Sequence, residues 1–306
     1  MMRMMRTLRY FLEAALFWML VPFVWALGLD RASWLFGKIG RFVGPRTGMR
    51  RTLRRRIETA MPEKKDAEVT AMISDIWEHL SRCLAELVLL DRFSYPRYQD
   101  RVEICGEEFF RQAVSSGRGM LLLTGHLGNW ELIFPVLARL TGPHKLSGVY
   151  RPLNNVFLDK VLLRTRRRSM KRVAHKNLHP LEERMISKTG DQRRNMRTVL
   201  SALQKREGIM LLVDQRTSQG IKAKFFGQPA MTTHMPAQLA ISNGYTLLPI
   251  SITRKQGVNF VFRFHEPIPS DGADVPGLTQ KINDFFEAQI RKHPEQWLWL
   301  HNRWRP

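Results

Sequence analysis

Residues 118–131 read RGMLLLTGHLGNWE, and this stretch decides the fold. Its first half is a continuous apolar run after a glycine, which is typical of a strand buried on both faces. A helical pattern follows over 130–141, and a buried strand that leads into a helix is the repeating unit of parallel α/β sheets. His126 therefore leaves the strand at its carboxyl end, where open α/β sheets bind their ligands.

The same alternation continues on both sides of that stretch. Helices are predicted over 66–92, 130–141, 155–169, 194–206, 235–243 and 276–292, and strands over 118–124, 145–150, 208–213, 246–253 and 258–264. Strands separated by helices predict an α/β fold with a mixed, mainly parallel sheet flanked by helices, and with an antiparallel pair late in the chain. The basic stretch 164–194 is predicted to be the longest loop.

The N-terminal segment has the composition of a membrane anchor. Residues 14–29 carry no charge, and the apolar character reaches back to Leu8 with only Glu13 as an interruption. A spanning helix, a helix that stays in one leaflet and a secretory signal are all considered, since the run is short for a span and contains Pro22. Nine basic residues lie in 31–56 against three before the run, and basic flanks stay cytoplasmic. We predict an anchor over 1–30 and an α/β domain over 31–306 in the cytosol.

Charge and cysteine content limit the function classes. The chain has 306 residues, of which 44% are hydrophobic, and its 49 Lys+Arg against 27 Asp+Glu leave a net charge of +22. The positive electrostatic potential that this charge creates favours an acidic partner: nucleic acid, an anionic membrane, a phosphorylated lipid or an acidic protein. Two cysteines exclude a disulfide scaffold and a four-cysteine zinc site, and Cys83 is predicted to lie in the core. His175 and His179 lie in a basic stretch unsuited to zinc, so no metal or other cofactor is predicted.

His126 and Glu131 form the predicted catalytic pair. Glu131 falls in the first turn of the next helix, whose dipole favours a carboxylate, and Gly125 and Gly128 permit a turn between the two residues. A carboxylate on one imidazole nitrogen fixes the tautomer and leaves the other nitrogen free as a base. A strand-end histidine bonded to a helix cap fits the same residues. No G-x-S-x-G or phosphate-binding glycine motif is present, so His126 would activate a hydroxyl of the substrate itself.

Several sequence blocks occur in an order that resembles a known family. These blocks are His126 with Glu131, Tyr150-Arg151-Pro152, Arg166 in the helix that follows, Asp214-Gln215, FFGQPA at 225–230 and PEQWLWLHNRW at 294–304. Together they resemble the lipid A late acyltransferases, the lauroyl and myristoyl transferases of Kdo-lipid A biosynthesis within the lysophospholipid-acyltransferase-like superfamily. The similarity covers nearly the whole chain.

The resemblance implies a reaction and a location. A fatty acyl group would pass from acyl–acyl-carrier-protein to a hydroxyl of a Kdo-lipid A precursor, at the cytoplasmic face of the cell inner membrane with its anionic lipid. His126 would be the base and Glu131 would orient it. The implied substrate-binding residues are Arg166, Asp214, Arg151, Asn129 and Gly128. The amides around Gly128 and Asn129 and the Arg166 guanidinium are candidate oxyanion donors, and Arg166 equally suits a phosphate. Asp214 ends a buried strand as His126 does, so both are expected to point into one cleft.

Other functions are weighed against this one. The enzyme alternatives are an acyltransferase for another glycolipid or lysophospholipid, and a thioesterase in which water attacks. A membrane-tethered nucleic-acid-binding protein is the alternative from another class, but no nucleic-acid motif is present, so no nucleic acid is predicted as a partner.

A basic cluster is predicted to meet the acidic substrates: Arg164, Arg166, Arg167, Arg168, Lys171, Arg172, Arg193, Arg194 and Arg197. Trp297 and Trp299 are predicted to be core residues.

Overall fold

The secondary structure is defined by a computed structural model, which describes residues 2–140, 146–150, 152–173, 185–187, 197, 199, 201–202 and 204–304. Its helices are α1 (Met2–Val43), α2 (Arg50–Ala60), α3 (Asp66–Val88), α4 (Glu107–Ser115), α5 (Ile133–Leu140), α6 (Val156–Val173), α7 (Met235–Asn243) and α8 (Val275–Lys292). Its strands are β1 (Val102–Cys105), β2 (Met120–Thr124), β3 (Leu146–Tyr150), β4 (Met185–Ser187), β5 (Gly208–Leu212), β6 (Ile221–Phe225), β7 (Gln228–Thr232), β8 (Thr246–Arg254) and β9 (Phe260–Phe264).

The described strands form one large sheet and one separate hairpin. The sheet order is β1-β9-β8-β2-β5-β3-β4, and every neighbouring pair is parallel except β8 and β9. Because side chains alternate along a strand, Leu121 and Leu123 of β2 enter one apolar cluster while Met120 and Leu122 enter the other on the opposite face. The predicted mixed, mainly parallel α/β fold with a late antiparallel pair is confirmed.

Some elements differ from the sequence prediction. The strand β1, the helix α4 and the β6–β7 hairpin were not predicted. α6 continues to Val173, so the prediction of a loop from residue 164 was wrong, because arginine is a good helix former and this run extends the helix. The rest of 164–194 lies outside the described residues except for β4, and the predicted helix 194–206 is described only in part.

α1 is the long apolar helix at the N-terminal side of the domain. It is interrupted at Gly28, whose φ of 74° and ψ of 177° are a backbone conformation open to glycine and strained for other residues. Beyond this break the helix packs on α3 so closely that a Cβ at Gly40 would overlap Ser81. Within the described residues one helix, over Thr7–Arg46, is long and apolar enough to cross a membrane by length and composition. The division of the chain at residue 30 stays a prediction.

α1 also lies against the domain before the break. The Asn155 side-chain amide donates to the Tyr10 carbonyl oxygen and to the Glu13 carboxylate, both at 3.0 Å. Glu13, the one acidic residue in the apolar run, also pairs with Arg9 at 2.7 Å. Further along the helix, Val24 is buried in the core. α1 also exposes large apolar side chains along its length: Leu8, Phe11, Leu12, Trp18, Met19, Leu20, Phe23, Trp25, Trp34, Ile39, Phe42 and Val43. We call this set the apolar face of α1.

Candidate active site

The pairing of β2 with β5 positions the side chains of His126 and Asp214. Thr124 lies opposite Leu212 in this parallel pair, and the register continues one step further because Val213 N–H donates to the Thr124 carbonyl oxygen at 3.0 Å. His126 and Asp214 follow at the same distance beyond their strands. The carboxyl edge of the sheet therefore brings together two residues that are 88 positions apart, as predicted from the ends of the two strands.

Asp214 holds both the backbone and the ring of His126. The His126 N–H donates to Oδ2 at 2.7 Å, and ring atom Nδ1 lies 2.9 Å from Oδ1. Trp297 Nε1–H donates to Oδ2 at 2.8 Å. Burial alone would raise the pKa of Asp214, but the charge and hydrogen bonds of His126 and the Trp297 donor outweigh it and lower the pKa to about 2. Asp214 is therefore an ionised carboxylate beneath the ring.

The hydrogen bonds of His126 fix its tautomer. An ionised carboxylate only accepts hydrogen bonds, so Nδ1 carries the proton and donates it to Asp214. In the neutral ring Nε2 then has a lone pair, which can accept a hydrogen bond from the Gln215 side-chain nitrogen 3.1 Å away. The Trp130 ring meets the imidazole edge to face with 5.2 Å between centroids. This tautomer is the one that a general base needs.

Glu131 lies elsewhere than predicted. Its oxygens accept from Arg166 Nε and Nη2, each at 2.7 Å, and from Trp130 Nε1 at 3.1 Å. The prediction that Glu131 orients the His126 ring was wrong, because residues 130–132 form a 3-10 turn and the carboxylate pairs with α6 while Asp214 contacts Nδ1. Arg166 Nη1 is buried without a hydrogen-bond partner among the described residues.

The other predicted substrate-binding residues are engaged with the protein or are not described. The Gly128 N–H donates to the Gln296 carbonyl oxygen at 3.0 Å, so this one of the candidate oxyanion amides is engaged with the protein, and the predicted substrate-binding role of Gly128 stays a prediction. Gly128 has φ of 62°, and a Cβ there would overlap the Ile252 carbonyl. Asn129 is buried and donates its side-chain amide to Glu86 at 2.8 Å, and its predicted role in substrate binding stays a prediction. Both oxygens of Asp214 are hydrogen-bonded to His126 or Trp297, and its predicted role in substrate binding stays a prediction. Arg151 lies outside the described residues.

A buried ion pair behind the His126 loop was missed by the sequence analysis. Glu86 is 0% exposed and binds Arg254 through both oxygens, at 2.6 and 2.9 Å. Ser33 donates to the same carboxylate at 2.6 Å. Burial would lower the pKa of Arg254, but the Glu86 charge raises it instead. A lone carboxylate within the apolar run CLAELVLL was the signal in the sequence for this residue.

Residues 296–298, near the C-terminal end of the described chain, contact the backbone around His126. Leu298 N–H donates to the His126 carbonyl oxygen at 3.0 Å, and Leu127 forms an antiparallel bridge with Trp297. Trp297 and Trp299 are buried, as predicted. The backbone around His126 is thus held by strand β2 and by residues 296–298, which keeps the ring in one place.

Nothing in the described part of the chain suggests a metal centre or a nucleophilic cysteine. No group of three or more His, Cys, Asp or Glu residues is close enough to hold a metal ion within the described residues. Cys83 is buried, as predicted, and burial raises the pKa of its thiol to about 12. A neutral thiol is a poor nucleophile. His175 and His179 lie outside the described residues.

These features define a class of protein: an α/β fold with a histidine that a buried aspartate holds at the carboxyl edge of the sheet, where such folds bind their ligands. The family model of bacterial lipid A biosynthesis acyltransferases matches residues 2–306. The chain belongs to this family, and it is an acyltransferase.

Relatives with assigned functions agree with the family match. The lipid A biosynthesis lauroyltransferase of Escherichia coli (strain K12) is 26% identical over 292 residues, which are 93% of this chain and 86% of the relative. The palmitoleoyltransferase of the same biosynthesis in that organism is 25% identical over 276 residues, 88% of this chain and 83% of the relative. A phosphatidylinositol mannoside acyltransferase of Mycolicibacterium smegmatis is 24% identical over 277 residues, 89% of this chain and 85% of the relative.

Proposed function

We propose that the chain transfers a fatty acyl group from acyl–acyl-carrier-protein to a hydroxyl of a Kdo-lipid A precursor. The observation that carries this proposal is the His126–Asp214 pair, whose Nδ1–H···carboxylate bond leaves Nε2 as a base at the sheet edge. The names of the two Escherichia coli relatives support lipid A as the acceptor class. The net charge of +22 suits an acidic carrier protein and a phosphorylated acceptor.

The reaction follows from the protonation states. Nε2 of His126 takes the proton of the acceptor hydroxyl while the oxygen attacks the thioester carbonyl carbon. Asp214 stabilises the imidazolium that forms, because its carboxylate is ionised and lies 2.9 Å from Nδ1. The tetrahedral intermediate then expels the thiolate, which takes the proton from Nε2. No covalent acyl-enzyme forms, and the buried neutral thiol of Cys83 has no part in the reaction.

Arg166 is the group that we assign to an anionic oxygen of the substrates. Glu131 binds its Nε and Nη2, so the guanidinium is held in one orientation over the Phe134 ring, with 4.5 Å from Cζ to the centroid. Nη1 remains for a further acceptor, and an arginine suits both an oxyanion and a phosphate. Glu131 therefore contributes by positioning Arg166.

The proposed location is the cytoplasmic face of the inner membrane. Asn155 and Val24 hold α1 along the domain, so the apolar face of α1 turns away from the protein. Leu153, Val156 and Phe157 at the start of α6 are also exposed, and Phe157 meets Phe11 of α1 at 6.3 Å between ring centroids. An amphipathic arrangement of this kind, with nine basic and no acidic residues in 31–56, favours an anionic lipid surface.

A second acceptor class has support from one observation. The Mycolicibacterium smegmatis relative is a phosphatidylinositol mannoside acyltransferase and matches 89% of this chain. A glycolipid other than lipid A is therefore the alternative acceptor.

The test is a transfer assay with a panel of substrates. Purified protein in detergent is incubated with acyl–acyl-carrier-proteins of several chain lengths and with tetra-acylated or penta-acylated Kdo-lipid A precursors, or with phosphatidylinositol mannosides. Mass spectrometry is expected to show one added acyl chain on a Kdo-lipid A precursor, and His126→Ala is the inactive control. Acylation of the mannosides alone would replace the acceptor, and a folded His126→Ala variant with wild-type transfer would refute the mechanism.

A further inference from the structure

The base nitrogen of His126 is already occupied in the structure. The Gln215 side-chain nitrogen lies 3.1 Å from Nε2, which is the atom that must accept the hydroxyl proton. Asp214 occupies Nδ1, so in the neutral ring, which is the form that acts as a base, Nε2 is the acceptor and the Gln215 amide is the donor. Gln215 directly follows Asp214 after β5, and this connection places its side chain at the ring edge opposite the carboxylate.

An attacking oxygen and the Gln215 amide compete for the same position. A general base works from hydrogen-bond distance, about 2.6–3.2 Å, and the amide nitrogen lies within that distance. The acceptor hydroxyl must therefore displace the amide before it reacts. The exchange costs little for an acceptor lipid that the rest of the site already holds, because one neutral donor to Nε2 is replaced by another. A water molecule has no other contacts of this kind to favour its exchange with the amide.

Water is a competitor for this position. If water replaced the acceptor, its proton would pass to Nε2 and its oxygen would bond to the thioester carbonyl carbon. The C–S bond would then break, the proton would go from Nε2 to the thiolate, and the products would be a free fatty acid and a free thiol. This side reaction needs no additional reagent, and it would consume the acyl donor without acylating a lipid.

We propose that Gln215 is a positioning residue that covers Nε2 of His126 until the acceptor hydroxyl arrives, and so protects the acyl thioester from hydrolysis. The proposal rests on the acyl-transfer function proposed above. The proposal explains why the Gln215 amide lies at hydrogen-bond distance from Nε2 of His126, although this nitrogen must be free to take the proton of the acceptor hydroxyl. It predicts that the choice between water and acceptor depends on residue 215.

The first experiment compares hydrolysis with transfer. Gln215→Ala is incubated with acyl–acyl-carrier-protein, and the released thiol is measured without acceptor and with acceptor. Losing one neutral hydrogen bond is expected to raise the ratio of hydrolysis to transfer by roughly 5- to 10-fold. Gln219→Ala, on the exposed part of the same connection, is the matched control and keeps the wild-type ratio. Adding His126→Ala to Gln215→Ala abolishes the hydrolysis. An unchanged ratio in a folded Gln215→Ala variant would overturn the proposal.

The second experiment does not depend on the substrate. In protein with ¹⁵N-labelled histidine, the Nε2 resonance of His126 is assigned by its loss in His126→Ala. Gln215→Ala is expected to move the ¹⁵N chemical shift of Nε2 towards the value of an imidazole nitrogen that accepts no hydrogen bond, while the chemical shift of Nδ1 does not change. A resonance that does not move means that the amide does not cover Nε2. If wild-type protein transfers no acyl chain, the proposed function fails, and the resonance still decides whether Gln215 binds the ring.

Discussion

Replacing Asp214 by asparagine is expected to stop most acyl transfer without unfolding the protein. The substitution keeps the size of the side chain and removes the charge that stabilises a protonated His126 ring. Asparagine also has an NH₂ group that donates to Nδ1, which would move the ring proton to Nε2 and remove the base. Trp297 Nε1–H, now 2.8 Å from Oδ2, retains an acceptor if the amide oxygen takes that position.

The magnitude follows from the ionisation of the carboxylate. The pKa of Asp214 is about 2 against an ordinary value of 3.8, because His126 and Trp297 outweigh the cost of burial. A difference of this size corresponds to about 2 kcal/mol in favour of the charged form. If the whole of it acts in the transition state, the rate falls about 30-fold. Loss of the correct tautomer brings the expected decrease in turnover to roughly 10²–10⁴-fold.

The assay is the initial rate of acyl transfer at saturating donor and acceptor. Circular dichroism and the thermal midpoint of Asp214→Asn establish that the variant is folded, and Asp271→Asn on the exposed surface is the matched control. Because Asp214 acts through His126, a variant with Asp214→Asn and His126→Ala is expected to be little slower than His126→Ala alone. A folded Asp214→Asn variant that keeps turnover within about fivefold of wild type would refute the assigned role of this carboxylate.

Two further predictions concern stability and membrane binding. Burial lowers the pKa of His79 to about 3, so stability is lost as pH falls below 6.5, by about 2 kcal/mol at pH 5. Urea unfolding at pH 7 and pH 5 is expected to show a smaller loss for His79→Gln than for wild type, and equal losses would contradict this. Changing Phe11, Met19 and Phe23 on the apolar face of α1 to serine is expected to weaken binding to anionic vesicles by roughly 100-fold. Binding is measured by vesicle flotation, and Ile241→Ser, which changes an exposed apolar residue on α7, is the control that should bind as wild type does. If the triple variant also bound vesicles as wild type does, the apolar face of α1 would be excluded as the membrane contact.

The sequence predicted the elements that depend on local composition. The apolar run before His126 predicted β2, and the run before Asp214 predicted β5, so the meeting of both residues at one sheet edge was expected. The alternation of Trp297 and Trp299 with leucines predicted their burial. Each of these predictions depends on which residues avoid water, and that preference is visible in a single sequence.

The choice of partner for His126 depends on information that the sequence does not carry. Glu131 is five positions away, but the direction of its side chain is set by a 3-10 turn at 130–132. Asp214 is 88 positions away, and only the β2–β5 register brings it to Nδ1. The β6–β7 hairpin was missed for another reason. Its alternation in IKAKF at 221–225 is short, and the turn at Phe226 and Gly227 has positive φ at both residues, which the composition did not make obvious.

The contacts of residues 296–298 with the backbone around His126 have a consequence for the order in which the site forms during translation. The ribosome completes β2, β5 and Asp214 well before it reaches Trp297, and until then Asp214 lacks its indole donor and the His126 carbonyl lacks its Leu298 partner. A nascent chain, or a fragment that stops before residue 297, keeps the His126–Asp214 bonds but lacks these two contacts that complete the arrangement. We therefore expect the proposed catalytic site to reach its final geometry in one late step of translation, and interrupted products to transfer acyl chains poorly.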